Sequence, residues 1–389
     1  MKPPMDLIVY YEGANSIESW VSKLLPGYKP TFKKLPTSNK QEAFAQLPKY
    51  VSDILYLDKP DIIISGTVDG VHEKPIFSIE LAACTPQYQH ALQRFPRMLA
   101  SVENSCPSIL IMALEKSENN GGDRLYRRSQ AIDYGAVRLM DIFGVPAFVF
   151  DWPTKDGLLQ FEGSDALPPL NSTEMKELSA YLLDAIGAFK NADYMAALMK
   201  QPRTRALIDK SRQRAYGDGA PTIERPGGGT GAASKVKLEK LKTADLLAKI
   251  ISDGRSTKNL LNHVPGHITS RTESVVMYPT RVVKHAGDPY VGMLCYYDIA
   301  FCRVGDVNRD WQYNLIAYCK GVKKAEMENA MSSFKDKTCP LGDAISTKNI
   351  VSYSYHLRNG CSHTKCKPIR IYAEMADMIV FEDGVLFGG

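Results

Sequence analysis

Two acids and the residues around them carry the chemistry this chain could do. Asp61 opens an apolar β-branched run, Ile62 to Ile64, with the character of a buried strand. Glu80 lies within a second strand pattern, Pro75 to Ala82. Side chains alternate across a strand, so Phe77, Ile79 and Leu81 share one face and Ser78, Glu80 and Ala82 the other. A carboxylate in mid-strand runs against strand composition. Two carboxylates converging on neighbouring strands, with water, suit the hard, oxygen-preferring Mg²⁺. A pair of such ions would stabilise the attacking and leaving oxygens of an in-line phosphoryl displacement. The plainer alternative is that Asp61 caps a strand start and Glu80 pairs with Arg94. Asp69, in a Val-Asp-Gly turn, is a rival first acid, with a hairpin turn as its simpler role.

After Pro86 the period becomes helical, with Tyr88, Ala91, Leu92, Phe95 and Leu99 on one stripe and Gln93, Arg94 and Arg97 on the other side. Arg94 is a planar donor suited to a scissile phosphate, and Gln93 is placed to orient water. His90 is either a general base or a structural imidazole beside the stripe. Pro96 removes a donor and predicts a kink near Phe95.

Pro60-Asp61, Glu80 and the letters Gln93-Arg94-Phe95 with Arg97 resemble the PD-(D/E)xK nucleases, the superfamily of most type II restriction endonucleases. The resemblance implies an Asp and a second acid on successive strands holding one or two Mg²⁺, Glu18 or Glu12 at a first helix as a third ligand (a solvated helix-start Glu being the plainer role), and a Lys two residues after the second acid that helps to activate water. Ala82 stands at that Lys position, so the water-activating role is unassigned. The match covers about 90 residues of the chain.

With 389 residues, two or three domains are expected. A composition of 44% hydrophobic and 23% charged residues is that of a globular protein able to bury a full core. No apolar run is long enough to span a bilayer, and the first residues carry too short an apolar run and too early an acid for a secretory signal. Eight cysteines outside any small secreted scaffold point to a reducing cytoplasm. The net charge of +5 permits nucleic-acid binding without demanding it. Residues 201–250 hold eleven Lys/Arg against five Asp/Glu, enough to supply that surplus. Arg203, Arg205, Lys210, Arg212 and Arg214 there are candidate phosphate contacts, or else a solvated helix and linker.

Further along, Cys361-Ser362-His363-Thr364-Lys365-Cys366 joins Cys339 to offer three thiols and an imidazole, a set that suits Zn²⁺; an ordinary basic turn is the alternative. Arg358 and Lys365, with His356, Asn359 and Lys367, form a basic loop able to reach base edges or phosphates. Cys84 has no His-Asn partner pattern for a cysteine protease. Asp298, Glu374 and Asp377 mark a rival site in the second half, with no supporting spacing.

The elements that must position these residues follow in order. Leu7 to Tyr11 is a strand and a helix carries Ile17, Trp20, Val21 and Leu24; Glu12 and Glu18 stand at that helix's beginning. Gln41 to Leu55 is helical, Ser108 to Leu114 a buried strand, Ser129 to Phe143 a helix ended by Gly144, and Val145 to Phe150 a strand. This order predicts an α/β fold, a restriction-endonuclease-like core of a mixed sheet flanked by helices. Helices at Thr173 to Phe189 and Ala192 to Lys200 would cover it. The expected division is 1–212 as nuclease core, 213–235 as a Gly/Pro/Ala-rich linker and 236–389 as a second α+β domain for DNA recognition or dimerisation. The second domain has strand patterns at Ser274 to Met277, Gly292 to Tyr297, Tyr313 to Tyr318, Ile350 to His356 and Ile369 to Ala373. The expectation is a cytoplasmic, homodimeric, Mg²⁺-dependent restriction endonuclease acting on double-stranded DNA. The alternative is a non-cleaving nucleic-acid-binding or sensor protein on a degenerate nuclease fold, favoured by Ala82.

Overall fold

The computed structural model describes residues 5–36, 46–67, 72–83, 92–112, 115–118, 124–127, 130–156, 158–162, 167–217, 219–224, 236–279, 289–303, 311–323, 345–347, 350–352, 371–372 and 374–387. The first half forms a six-stranded sheet in the order β2-β1-β3-β4-β5-β8. Its strands are β1 (Leu7–Tyr11), β2 (Thr31–Lys34), β3 (Ile62–Thr67), β4 (Glu73–Ala82), β5 (Ser108–Met112) and β8 (Ala147–Asp151). Two hairpins, β6 (Glu115–Glu118) with β7 (Arg124–Arg127) and β9 (Thr154–Lys155) with β10 (Leu158–Leu159), stand apart from it. β3 is antiparallel to both its neighbours, while β1–β2, β4–β5 and β5–β8 are parallel. β3 opens on Ile62–Ile64 and β5 carries Ile109–Met112, apolar runs that are buried because both faces of the sheet are covered.

Helix α1 (Ser16–Leu24) buries Ile17, Trp20, Val21 and Leu24, the stripe its sequence shows. It shares a face with α5 (Thr173–Ala188), since Tyr181 of α5 meets Phe148 of β8 edge-on and Ser179 Oγ donates to Leu24 O at 2.6 Å. The opposite face is covered by α2 (Lys49–Ile54), whose Val51 and Ile54 cluster with Tyr10 and Ile63, and by α3 (Phe95–Glu103). Ser101 of α3 pairs with Ser78 of β4, Oγ to Oγ, at 2.8 Å. Next to α3 lies α4 (Gln130–Phe143), and Gly144 at φ +65° ends it in the left-handed conformation that glycine adopts without strain. Two more helices complete this half, α6 (Tyr194–Met199) and α7 (Pro202–Tyr216).

A bulge interrupts the β3–β4 ladder, where Ile64 pairs Phe77 but Ser65 pairs Pro75, so Ile76 is the extra residue. Pro75 is tolerated because β5 pairs with β4 only from Ser78 onward, which leaves one side of Pro75 without a ladder partner.

The second half builds a seven-stranded sheet, β11-β12-β13-β16-β17-β15-β14. These strands are β11 (Lys237–Lys242), β12 (Glu273–Tyr278), β13 (Asn314–Tyr318), β14 (Ile345–Thr347), β15 (Ile350–Ser352), β16 (Met378–Val380) and β17 (Val385–Phe387). Helix α8 (Thr243–Ser252) and the short α9 (Gly266–Thr269) cover one face through Leu246, Leu247, Ile250 and Ile268. On the other side lies α10 (Pro289–Tyr297), followed by a π-helical turn, Asp298–Cys302. Both sheets are therefore mixed and flanked by helices. Among the described residues no helix is long and apolar enough to cross a membrane.

Several expectations change. Gly292 to Tyr297 is helix, not strand. Buried on every side, α10 has no polar face to reveal its period. Ile371 and Tyr372 are helical where a strand was expected. Pro96 does not kink a helix; it stands in the first turn of α3, where no donor is needed. Of the long helix expected before Asp61, only Lys49–Ile54 is helical among the described residues.

Gly292 holds the halves together at very close range. A Cβ there would collide with Leu92 O and lie 2.7 Å from Gln93 N, so only glycine lets α10 meet the chain entering α3. Gly135 of α4 is similar, with Phe95 at 2.5 Å and Tyr296 at 3.1 Å from its notional Cβ.

Candidate functional site: a buried acid pair at the carboxyl end of the sheet

Asp61 stands one residue before β3, and Ile62 pairs with Ile79, so the continuing ladder sets Asp61 across from Glu80. Residues facing across an antiparallel ladder project to the same side, so both carboxylates leave the face that carries Ser78, under α3. Phe77 and Ile79 go to the other face and are fully buried there. Five of the six strands run one way and end here, the edge at which open α/β sheets place their ligands. Glu12 follows β1 at the same end, its N–H donating to Asp61 O at 2.9 Å. The three acids thus form one row across β1, β3 and β4.

Glu80 is 1% exposed, which demands compensation for its charge. Arg97 supplies it by donating from Nη1 to Glu80 Oε1 and from Nε to Asp58 Oδ2, the latter at 2.5 Å. Arg97 sits in the first turn of α3, where the helix dipole disfavours a cation. Burial also works against its charge, but Asp58 and Glu80 outweigh both and hold the guanidinium firmly protonated. Arg94 adds Nη1 to the same Glu80 oxygen at 3.3 Å. The other oxygen, Glu80 Oε2, is buried with no hydrogen-bond partner.

Asp61 accepts the Leu81 N–H at 2.7 Å. Burial, and then the neighbouring charge of Glu80, push its carboxyl well above the usual carboxylate range; Arg97 and the Leu81 N–H pull the other way and are outweighed. Two acids facing each other in a buried place favour one proton between them unless a cation takes its place.

The expected residues fall into distinct places. Asp61, Glu80 and Arg94 come together, and Gln93 lies in the turn just before α3. Arg97, expected to reach nucleic acid, is instead the main partner of the acids, its side chain 14% exposed. Glu18 accepts a hydrogen bond from Tyr11. Tyr11 pairs with Ile62, so it projects from the face opposite Asp61 and takes Glu18 with it. Ala82 is half-buried beside the core.

The arginines of α7 meet acids of the first half. Arg203 pairs with Asp184, Lys210 with Glu177, Arg212 with Asp141 and Arg214 with Asp151, at 2.9–3.2 Å, while Arg205 is exposed. Lys237, Lys240 and Lys249 pair with Glu239, Glu273 and Asp253. The zinc set (Cys339, Cys361, His363, Cys366), the basic loop with Arg358 and Lys365, and Asp69, Cys84 and His90 lie outside the described residues.

Two contributors escape the sequence reading. Asp58 completes the grip on Arg97. Lys59, only 8% exposed, places Nζ 2.6 Å from Glu12 Oε1 beside the acid row. The signal was present in the run Asp58-Lys59-Pro60-Asp61, where three charges crowd the entrance to an apolar strand.

A second polar cluster occupies the junction of the halves. Arg303 pairs with Asp298 at 2.5 Å and with Glu103 at 3.5 Å. Tyr56 donates to Glu103, and Trp311 Nε1 to Asp298 at 3.1 Å. Asp377 is tied to Arg271 at 2.7 Å and to Leu315 N–H at 2.8 Å.

Among the described residues no group of three or more His, Cys, Asp or Glu converges as a metal cage. Asp61 and Glu80 both offer carboxylate oxygens, and one of these, Glu80 Oε2, is buried with no hydrogen-bond partner. No protein-family model, curated protein or solved structure matches the chain.

Proposed function

We propose that the chain is a Mg²⁺-dependent endonuclease that hydrolyses DNA phosphodiester bonds, of the type II restriction kind, on a restriction-endonuclease-like core. One observation carries this reading: Asp61 and Glu80 face each other at the carboxyl end of the sheet, and a buried Glu80 oxygen has no partner. Mg²⁺ held by these two carboxylates would polarise the phosphate and lower the pKa of a bound water. Arg94 meets Glu80 at 3.3 Å, so it is free to turn toward a phosphate oxygen at small cost. Gln93, beside it, orients water. Water would attack phosphorus and give up one proton to solvent as its oxygen bonds there, while the bond to one bridging oxygen breaks and that oxygen takes up a proton from solvent. Cleavage of both strands calls for two copies of the site, hence a homodimer, working in the cytoplasm.

The test is plasmid cleavage with Mg²⁺ and with EDTA, for the native chain, Asp61→Asn and Glu80→Gln. Cleavage in Mg²⁺ that EDTA and either substitution abolish supports the proposal; full activity in both variants removes it. A second reading has its own observation. Both guanidiniums already converge on Glu80 Oε1, and Ala82 offers no ammonium, which suits a protein that binds nucleic acid without cutting it. Retention of DNA in a gel shift, with no product at any Mg²⁺ concentration, selects that one.

A further inference from the structure

The two cations at the acid pair both belong to the beginning of α3, and α3 is held at both ends by one segment of the second half. At its entrance, Gly292 of α10 meets the backbone of Leu92 and Gln93 closely enough to exclude any side chain. Tyr296, one turn further along α10, meets Phe95 edge-on with ring centroids 5.7 Å apart. At its exit, Glu103 receives Arg303 of the second half. Arg303 is fixed in turn by Asp298 and lies under Trp311, its guanidinium 4.8 Å from the indole centroid. Arg138 of the neighbouring α4 donates to Ile299 O at 3.4 Å and Arg303 O at 2.6 Å. The stretch between the two grips contains the π-helical turn Asp298–Cys302, a departure from regular winding that is frequent at functional positions.

We infer that residues 289–303 form a coupling strut through which the second half sets the position of Arg94 and Arg97 at the acid pair, with Arg303 as a positioning residue. A ligand that shifts this segment from the second sheet is then felt at Glu80 without touching it. The inference stands on packing alone and holds whether or not the site cleaves DNA.

The probe is the Nε–H resonance of Arg97 in the full-length protein, identified by its loss in Arg97→Lys, together with amide hydrogen exchange over residues 95–103. Arg303→Lys shortens the grip on Glu103. Trp311→Ala, at a partly exposed residue, loosens Arg303 without opening the core. Leu247→Ala weakens the far face of the second sheet and serves as control. Coupling requires that Arg303→Lys and Trp311→Ala both move the Arg97 signal and speed exchange over 95–103 severalfold, while Leu247→Ala does neither. Should Arg303→Lys fail to fold, Trp311→Ala decides. An Arg97 signal unmoved in the folded strut variants, or moved equally by Leu247→Ala, overturns the inference.

Discussion

Two buried ion clusters lie at opposite ends of α3, and they are not built alike. Around Arg303 the account closes: the oxygens of Asp298 meet Arg303 and Trp311, and those of Glu103 meet Arg303 and Tyr56. Around Glu80 it stays open. One oxygen holds two guanidiniums, the other none, and a second acid faces it with its ionisation opposed. A closed cluster spends its groups on holding the fold. An open one keeps a buried acceptor that only the proton held on the facing acid can meet, a place that a bound cation would take over. The contrast separates an architectural network from a candidate working one using geometry alone.

The largest effect should come from the closed cluster. Arg303→Ala leaves Asp298 and Glu103 buried without their cation and should cost about 3–5 kcal/mol, read as a lower urea midpoint. A neutral result would show that the closed cluster is no more architectural than the open one. Mg²⁺ should act on the open cluster alone. At about a hundred times its dissociation constant it should stabilise the native chain by about 2.7 kcal/mol, with no such gain in Glu80→Gln. Equal gains in both would place the cation elsewhere.

Asp61→Asn should stabilise by on the order of 1 kcal/mol at neutral pH, by removing an unfavourable ionisation. The sign follows from the raised folded-state value. Between about pH 4, where a free aspartate titrates, and that higher value, the folded chain holds a proton that the unfolded chain has released. Native stability therefore falls as pH rises through this window, and the advantage of Asn should vanish near pH 4. Thermal melts from pH 4 to 8 check it; an advantage that grows on acidification would reverse the assignment. Least of all, Arg203→Ala, which breaks an exposed pair with Asp184, should stay within about 0.5 kcal/mol.

Much of this was legible beforehand where pattern and burial agree. Alternation alone put Glu80 opposite Phe77 and Ile79, and the run after Asp61 announced a central strand. The helix ending at Gly144 and the buried strand from Ser108 follow from period and stop signal. The failures share a cause in long-range packing. Helix α10 looks like a strand because neighbours surround it completely and its aromatic, Cys- and Val-containing sequence carries no amphipathic period. Arg97 looks like a surface cation because its helix face is polar; that face is turned onto a polar row of the sheet. For the basic surplus of residues 201–250 the fold adds what sequence cannot show, the carboxylates, several distant in sequence, that most of its described cations meet.

The extra residue at Ile76 has a consequence for tolerance to change. Were the hairpin regular on both strands, Asp61 would stand level with Ile79, and Glu80 would face Pro60. The offset is absorbed only three residues from Asp61 along β3, roughly 10 Å at strand rise. Beyond it, Ser65–Pro75, Gly66–Lys74 and Thr67–Glu73 keep their own register, so deleting one residue at the bulge would part the two carboxylates although every strand kept its length in pairs.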